Sequence, residues 1–203
     1  CYQQISELEI NFSKKFGFKY SSATSSCTGA LHMGLISIGI NKGDEVILPD
    51  CTWISCSNAL EYIGAKPVFA DIKKDTFLID PKDIQRKITK KTKAIMVVHL
   101  YGLMCDMTEI MKLAKKNNLF VLEDCAQCFF AKDEKKRIAG TIGDVGSWSF
   151  ENSKHITTGD GGIVTTNNKI LAKKMREFSC AGFRNVTASS GKVRIDRNKF
   201  QDP

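Results

Sequence analysis

No uninterrupted apolar stretch in this sequence approaches the ~20 residues that a membrane-spanning helix requires, so no membrane partner is expected. Histidine is scarce, with 3 in 203 residues. No cluster of His, Cys and Asp has metal-ligand spacing, so no metal centre is expected. No Gly-x-Gly-x-x-Gly follows the first strand-like run and no Gly-x-Ser-x-Gly occurs. Neither dinucleotide binding nor a nucleophile elbow is therefore indicated. Proline is limited to 4 residues, and there is no low-complexity linker or internal repeat. With 42% hydrophobic and 26% charged residues, the composition supplies a core, and the length suits one sizeable domain.

The formal net charge is +8, yet the basic residues are scattered, as at Lys73-Lys74, Lys90-Lys91 and Lys115-Lys116. They are not interleaved with aromatics as a base-stacking surface needs, so nucleic acid is not an expected partner. A mild pull on an anionic substrate fits the charge. There are 8 cysteines, and reduced thiols in the cytoplasm are expected. Cys125-Ala-Gln-Cys128 has CxxC spacing but lacks the second pair of a four-thiolate zinc site. The chain opens on Cys1 and runs out after Asn198 without a closing element, so a fragment of a longer protein is expected.

Ile5, Leu8, Phe12 and Phe16 recur at helical spacing and Gly17 ends the run, which predicts an amphipathic helix. Tyr20 to Ser26 is small and hydroxyl-rich, and no element is assigned to it. Thr28 to Ile38 reads as a buried helix closed at Gly39. Glu45-Val-Ile-Leu-Pro49, Lys66 to Asp71, Ala94 to His99, Leu119 to Asp124, Gly146 to Phe150 and Gly162 to Thr166 read as strands. Between and after them, Trp53 to Ile63, Pro81 to Ile88, Met107 to Asn117 and Lys169 to Phe178 read as helices. This alternation predicts an α/β fold with a mostly parallel sheet and helices on both faces. In such sheets a ligand lies beyond the carboxyl ends of the strands. Three chemically loaded segments fall there: Pro49 to Trp53, Glu123 to Gln127 and Ser149 to Lys154.

Lys154 follows a strand by a short turn and precedes Gly159, Gly161 and Gly162, where backbone can approach a bound group closely. A lone loop lysine is ordinarily a solvated surface group. In a sheltered setting the same amine can lose its proton and form a Schiff base. Asp124, at a buried strand end, is either a cap or a carboxylate that keeps a pyridinium nitrogen protonated. Ser26-Cys-Thr28-Gly29-Ala30 opens a buried helix, where free N–H groups suit a phosphate or merely accept a cap. Trp53 either fills the core or stacks on a flat cofactor ring. His32 and His155 read as structural.

Together these segments resemble the DegT/DnrJ/EryC1/StrS family of pyridoxal-phosphate sugar aminotransferases, within fold type I. The resemblance runs from about Ile5 to Asn185. Its carriers are Cys27-Thr-Gly-Ala-Leu-His32, Gly43-Asp-Glu-Val-Ile-Leu-Pro49, Thr52-Trp53, His99-Leu-Tyr-Gly102 with Asp106, Glu123-Asp-Cys-Ala-Gln127, Gly143-Asp144, and Ser149-Phe150 through Lys154 to Gly162. It implies the large domain of a fold-type-I transferase over residues 1–203, with the C-terminal small domain largely absent. It implies pyridoxal 5'-phosphate held as a Schiff base on Lys154, which also shuttles the proton. Asp124 would pair with the ring nitrogen, Gln127 would contact the ring hydroxyl and Trp53 would stack on the ring. Thr28, Gly29 and Ser149 would bind the phosphate. The implied reaction moves an amino group from glutamate onto a nucleotide-linked keto sugar, in a homodimer whose partner completes the site. Two departures are Cys27, where the family usually has glycine, and the short acid Asp160. Relatives with histidine in place of the lysine are dehydratases, and a non-catalytic homologue is a further alternative; retention of Lys154 favours transamination.

Overall fold

A computed structural model describes residues 2–179. Helix α1 (Tyr2–Phe16) leads into β1 (Tyr20–Thr24), α2 (Cys27–Ser37), β2 (Glu45–Pro49), α3 (Ser55–Glu61), β3 (Lys66–Ala70) and α4 (Pro81–Lys87). Then follow β4 (Thr92–Val98), α5 (Met107–Asn117), β5 (Phe120–Asp124), β6 (Val145–Ser149), β7 (Gly162–Thr166) and α6 (Lys169–Ser179). Among the described residues these strands form one seven-stranded sheet in the order β1-β7-β6-β5-β4-β2-β3. Strand β7 runs antiparallel to both β1 and β6, and the remaining neighbours are parallel. The sheet is thus mixed but mostly parallel, as the alternation of elements predicts.

The sequence pattern marks no element at Tyr20–Thr24, yet these residues form edge strand β1. Only Ser22 within it is buried, so no apolar alternation marks the strand in the sequence. Pairing with β7 from Tyr20↔Thr166 to Thr24↔Gly162 makes it a strand. Helix α3 is also shorter than expected, because Trp53 and Ile54 precede it and lie exposed.

In β6 and β7, alternation along the strands sends apolar side chains into two different clusters on opposite faces. On one face Val145 and Val164 join the apolar side chains of α2, a helix with six buried residues. On the other face Trp148 and Ile163 pack with Phe12 and Phe16 of α1. Phe12 meets Trp148 edge-on at 5.1 Å, a preferred aromatic geometry. Cys125 and Cys128 are free thiols buried in this second cluster. Burial raises the pKa of Cys125 well above its ordinary value and that of Cys128 to about 11. Neither thiol therefore has the thiolate character of a redox nucleophile.

The same alternation separates two adjacent carboxylates. Glu123 pairs in register with Gly146, on the Trp148 side, whereas Asp124 pairs with Ser147, on the α2 side. Glu123 and His99 are both fully buried and bond through Nε2 and Oε2 at 2.9 Å. Glu123 also accepts the backbone N–H groups of Gly140 at 2.8 Å, Ile142 at 2.7 Å and Gly143. Burial opposes a charge on His99, while the neighbouring Glu123 carboxylate favours one. Nδ1, however, accepts the Cys105 N–H at 3.1 Å, which leaves no seat for a second proton. The ring is therefore the neutral Nε2–H form, pointing its proton at Glu123.

Candidate active site

The loops that leave β2, β5 and β6 meet the start of α2 around a cleft of about 370 Å³. Thr28, Trp53, Asp124, Gln127, Ser149 and Lys154 all line it. These six come from four separate stretches of chain, and the three strand-end segments converge as the sequence predicts.

Asp124 ends β5 and is 4% exposed, on the floor of the cleft. Its Oδ1 accepts the Ala126 N–H at 2.9 Å and its Oδ2 accepts the Cys56 S–H at 3.3 Å. Burial raises its pKa, and the Ala126 and Cys56 bonds and the Lys154 charge offset part of that rise. Lys154, half-buried, stands in the turn after β6 that its own N–H closes on the Glu151 carbonyl at 3.0 Å. Trp53 is 72% exposed at this cleft, so the indole is no part of the core. Gln127 is held by the chain at 101–102: its Oε1 accepts the Tyr101 N–H at 3.4 Å and its carbonyl accepts the Gly102 N–H at 3.0 Å. Its side-chain nitrogen is left to donate.

Ser26 caps α2, and its Oγ accepts the N–H of Gly29 at 3.1 Å. That bond occupies the Gly29 donor, and Gly29, unlike Thr28, does not line the cleft. The N–H of Thr28 remains one of the first-turn groups without an intrahelical acceptor. Thr28 Oγ1 donates to Ser55 Oγ at 2.9 Å, tying α2 to α3 at the cleft. Gly162 brings β7 against this helix start so closely that an added Cβ would lie 2.5 Å from the Ser26 carbonyl.

Sequence reasoning passed over Ser55 and Cys56 and took Ser26 and Cys27 only as part of the opening of a helix; all four lie at or beside the cleft. One signal for Cys56 is local: it stands four residues after Thr52, which lies in the bend before α3, with Thr52 Oγ1 and Cys56 Sγ 3.3 Å apart. His155 is exposed and packs its ring near Phe129 at 6.0 Å, and it does not line the cleft.

The donor set suits a flat, anionic, nitrogen-containing ring. A buried carboxylate lies on the floor, an indole stands at the side, an amine comes from the β6 turn, and hydroxyls gather at a helix start. The sequence model of the DegT/DnrJ/EryC1/StrS aminotransferase family matches residues 2–195. This chain belongs to that family. It is 47% identical over 178 residues to the GDP-perosamine synthase of Escherichia coli O157:H7, covering 88% of this chain and 49% of that protein. An X-ray structure of an aminotransferase from Psychrobacter cryohalolentis superposes with a TM-score of 0.88 at 39% identity, covering 96% of this chain and 49% of that one. NtdA from Bacillus subtilis, crystallised with bound cofactor PMP, gives 0.83 at 37% identity over 96% of this chain and 43% of that one. The chain spans about half the length of the curated family relatives it matches.

Proposed function

We propose that this chain is the cofactor-binding large domain of a pyridoxal-phosphate-dependent aminotransferase. The full-length enzyme moves an amino group from glutamate onto a nucleotide-linked keto sugar. The observation that carries this reading is one cleft holding the Lys154 amine, the buried Asp124 carboxylate and the exposed Trp53 indole. When bound, pyridoxal phosphate supplies a protonated ring that takes up the electron pair released as a proton leaves the substrate carbon.

The residues divide that work. Lys154 Nζ anchors the cofactor and, once freed, carries the proton from and to the substrate carbon. Asp124 holds a proton on the ring nitrogen, which a buried carboxylate does strongly. Trp53 covers one face of the ring, and Gln127 donates its side-chain N–H to the ring hydroxyl. Thr28 and Ser149, beside the start of α2, bind the phosphate, and Gly29 donates its N–H to the Ser26 cap of that turn. The likeness to a protein named GDP-perosamine synthase supports the nucleotide-linked substrate class. Lys154 lining the cleft while His155 stands outside it favours transamination over dehydration.

The six described free cysteines support a reducing, cytoplasmic setting. No helix among the described residues is long and apolar enough to cross a membrane. Lys154 is the only lysine or arginine lining the cleft among the described residues. A phosphate with about two negative charges favours further cationic partners. We assign these to a second copy in a homodimer.

Borohydride reduction of the loaded full-length protein, followed by peptide mapping, tests the reading. The expected label is on Lys154, and the visible absorbance should shift when glutamate is added. A label on another lysine, or no spectral response to any amino donor, overturns it.

A further inference from the structure

Asp124 is bracketed by thiols from two helices. Cys56, the second residue of α3, donates its only S–H proton to Oδ2 at 3.3 Å. With that proton committed, the Thr52 hydroxyl at 3.3 Å is the donor to the sulfur. Cys27, the first residue of α2, stands with its Sγ 3.9 Å from Oδ1, which also accepts the Ala126 N–H. A carboxylate offers about four lone-pair directions. Three are engaged here, which leaves one on Oδ2, and Asp124 lines the cleft.

We propose that Cys56, oriented by Thr52, is a positioning residue that fixes the plane of the Asp124 carboxylate and leaves one Oδ2 lone pair for the ring nitrogen of the cofactor. The identity of that ring rests on the pyridoxal-phosphate reading; the thiol's hold on Asp124 does not. Burial, and then repulsion from Asp124, lift the pKa of both Cys27 and Cys56 well above the ordinary thiol value. Both therefore remain neutral donors across the working pH range. A thiol is also a weaker donor than a hydroxyl, so it steadies the carboxylate while drawing off little of the charge that holds a ring proton. The other ionisable groups near enough to influence Asp124 are Lys154, after β6, His99, bonded to Glu123 on the other face, and the buried Cys125.

The test follows the Asp124 carboxyl carbon by NMR across pH in cofactor-free, full-length protein labelled at aspartate, with Asp124→Asn to assign the resonance. Cys56→Ala should raise the titration midpoint by about half a pH unit, because a donor to the ionised form is lost. Cys56→Ser should bring it back to the wild-type value or below, and Thr52→Val should raise it by a smaller amount. Coincident curves for wild type and Cys56→Ala overturn the proposal, as does a Cys56→Ser curve that follows Cys56→Ala. If circular dichroism shows Cys56→Ala unfolded, Cys56→Ser and Thr52→Val decide by their opposite directions. A parallel titration with pyridoxal phosphate should show several-fold weaker binding in Cys56→Ala, restored in Cys56→Ser. Wild-type protein that binds none refutes the cofactor reading and leaves the NMR comparison to judge the thiol.

Discussion

At the scale of single residues, Glu123 and Asp124 show how one peptide step changes a carboxylate's task. Glu123 gathers three backbone N–H groups and the His99 ring in the interior. Replacing it with alanine strands those four donors, so a loss of about 3–5 kcal/mol is expected, read as a lower denaturant midpoint. Asp124 accepts one backbone N–H and two weak thiol donors, and burial raises its pKa. Asp124→Asn should therefore leave the cofactor-free protein as stable as wild type or slightly more so, while turnover of the loaded enzyme falls by several orders of magnitude. Near-normal turnover in that variant would place the ring nitrogen elsewhere. The pH sign follows from the raised folded-state value. Between the ordinary aspartate pKa and that value the folded state binds more protons than the unfolded state, so stability from this group falls as pH rises. Wild type should lose stability relative to Asp124→Asn through that window, as paired chemical denaturation curves would show. A difference that stays constant with pH would mean the carboxylate is not desolvated.

At the scale of elements, helix α2 is held to the sheet by what two glycines lack. A Cβ at Gly34 would come within 2.8 Å of Leu122 Cδ1 and 3.0 Å of Val145 Cγ1, both ends of side chains that can shift. Gly34→Ala should cost about 1–3 kcal/mol by overpacking and spare the cleft. A Cβ at Gly162 would meet backbone instead, 2.5 Å from Ser26 carbonyl atoms and 2.6 Å from Cys27 N. Backbone cannot yield so cheaply, and the displaced segment is the start of α2 beside Thr28. Gly162→Ala should thus exceed Gly34→Ala in lost stability and also weaken pyridoxal phosphate binding, measured by absorbance titration. Equal binding by the two variants would separate the helix start from the phosphate.

At the scale of the whole molecule, large apolar side chains remain open around the cleft end of the sheet: Trp53 at 72%, Tyr101 at 69% and Ile54 at 63% exposure. Surface of this kind is characteristic of binding sites and interfaces. Full-length protein should sediment as a dimer whose activity falls on dilution below its dissociation constant. A monomer fully active at every concentration would remove the need for a partner in the site.

The sequence by itself determined most of the elements and the place of the site. Apolar periodicity records which side of a segment is buried, and loaded residues after strand ends record where a ligand sits. Lys154, Asp124, Gln127, Ser149, Thr28 and Trp53 were legible on those grounds and through family resemblance, and all six line one cleft. Only the tertiary structure decided that Tyr20–Thr24 is a strand, because its partner β7 lies about 140 residues away in the chain. It also decided that the Gly29 N–H is taken by a cap and that Cys56 grips Asp124. Each depends on which face of a strand or helix meets which neighbour. That is fixed by long-range register and packing, which local residue patterns do not encode.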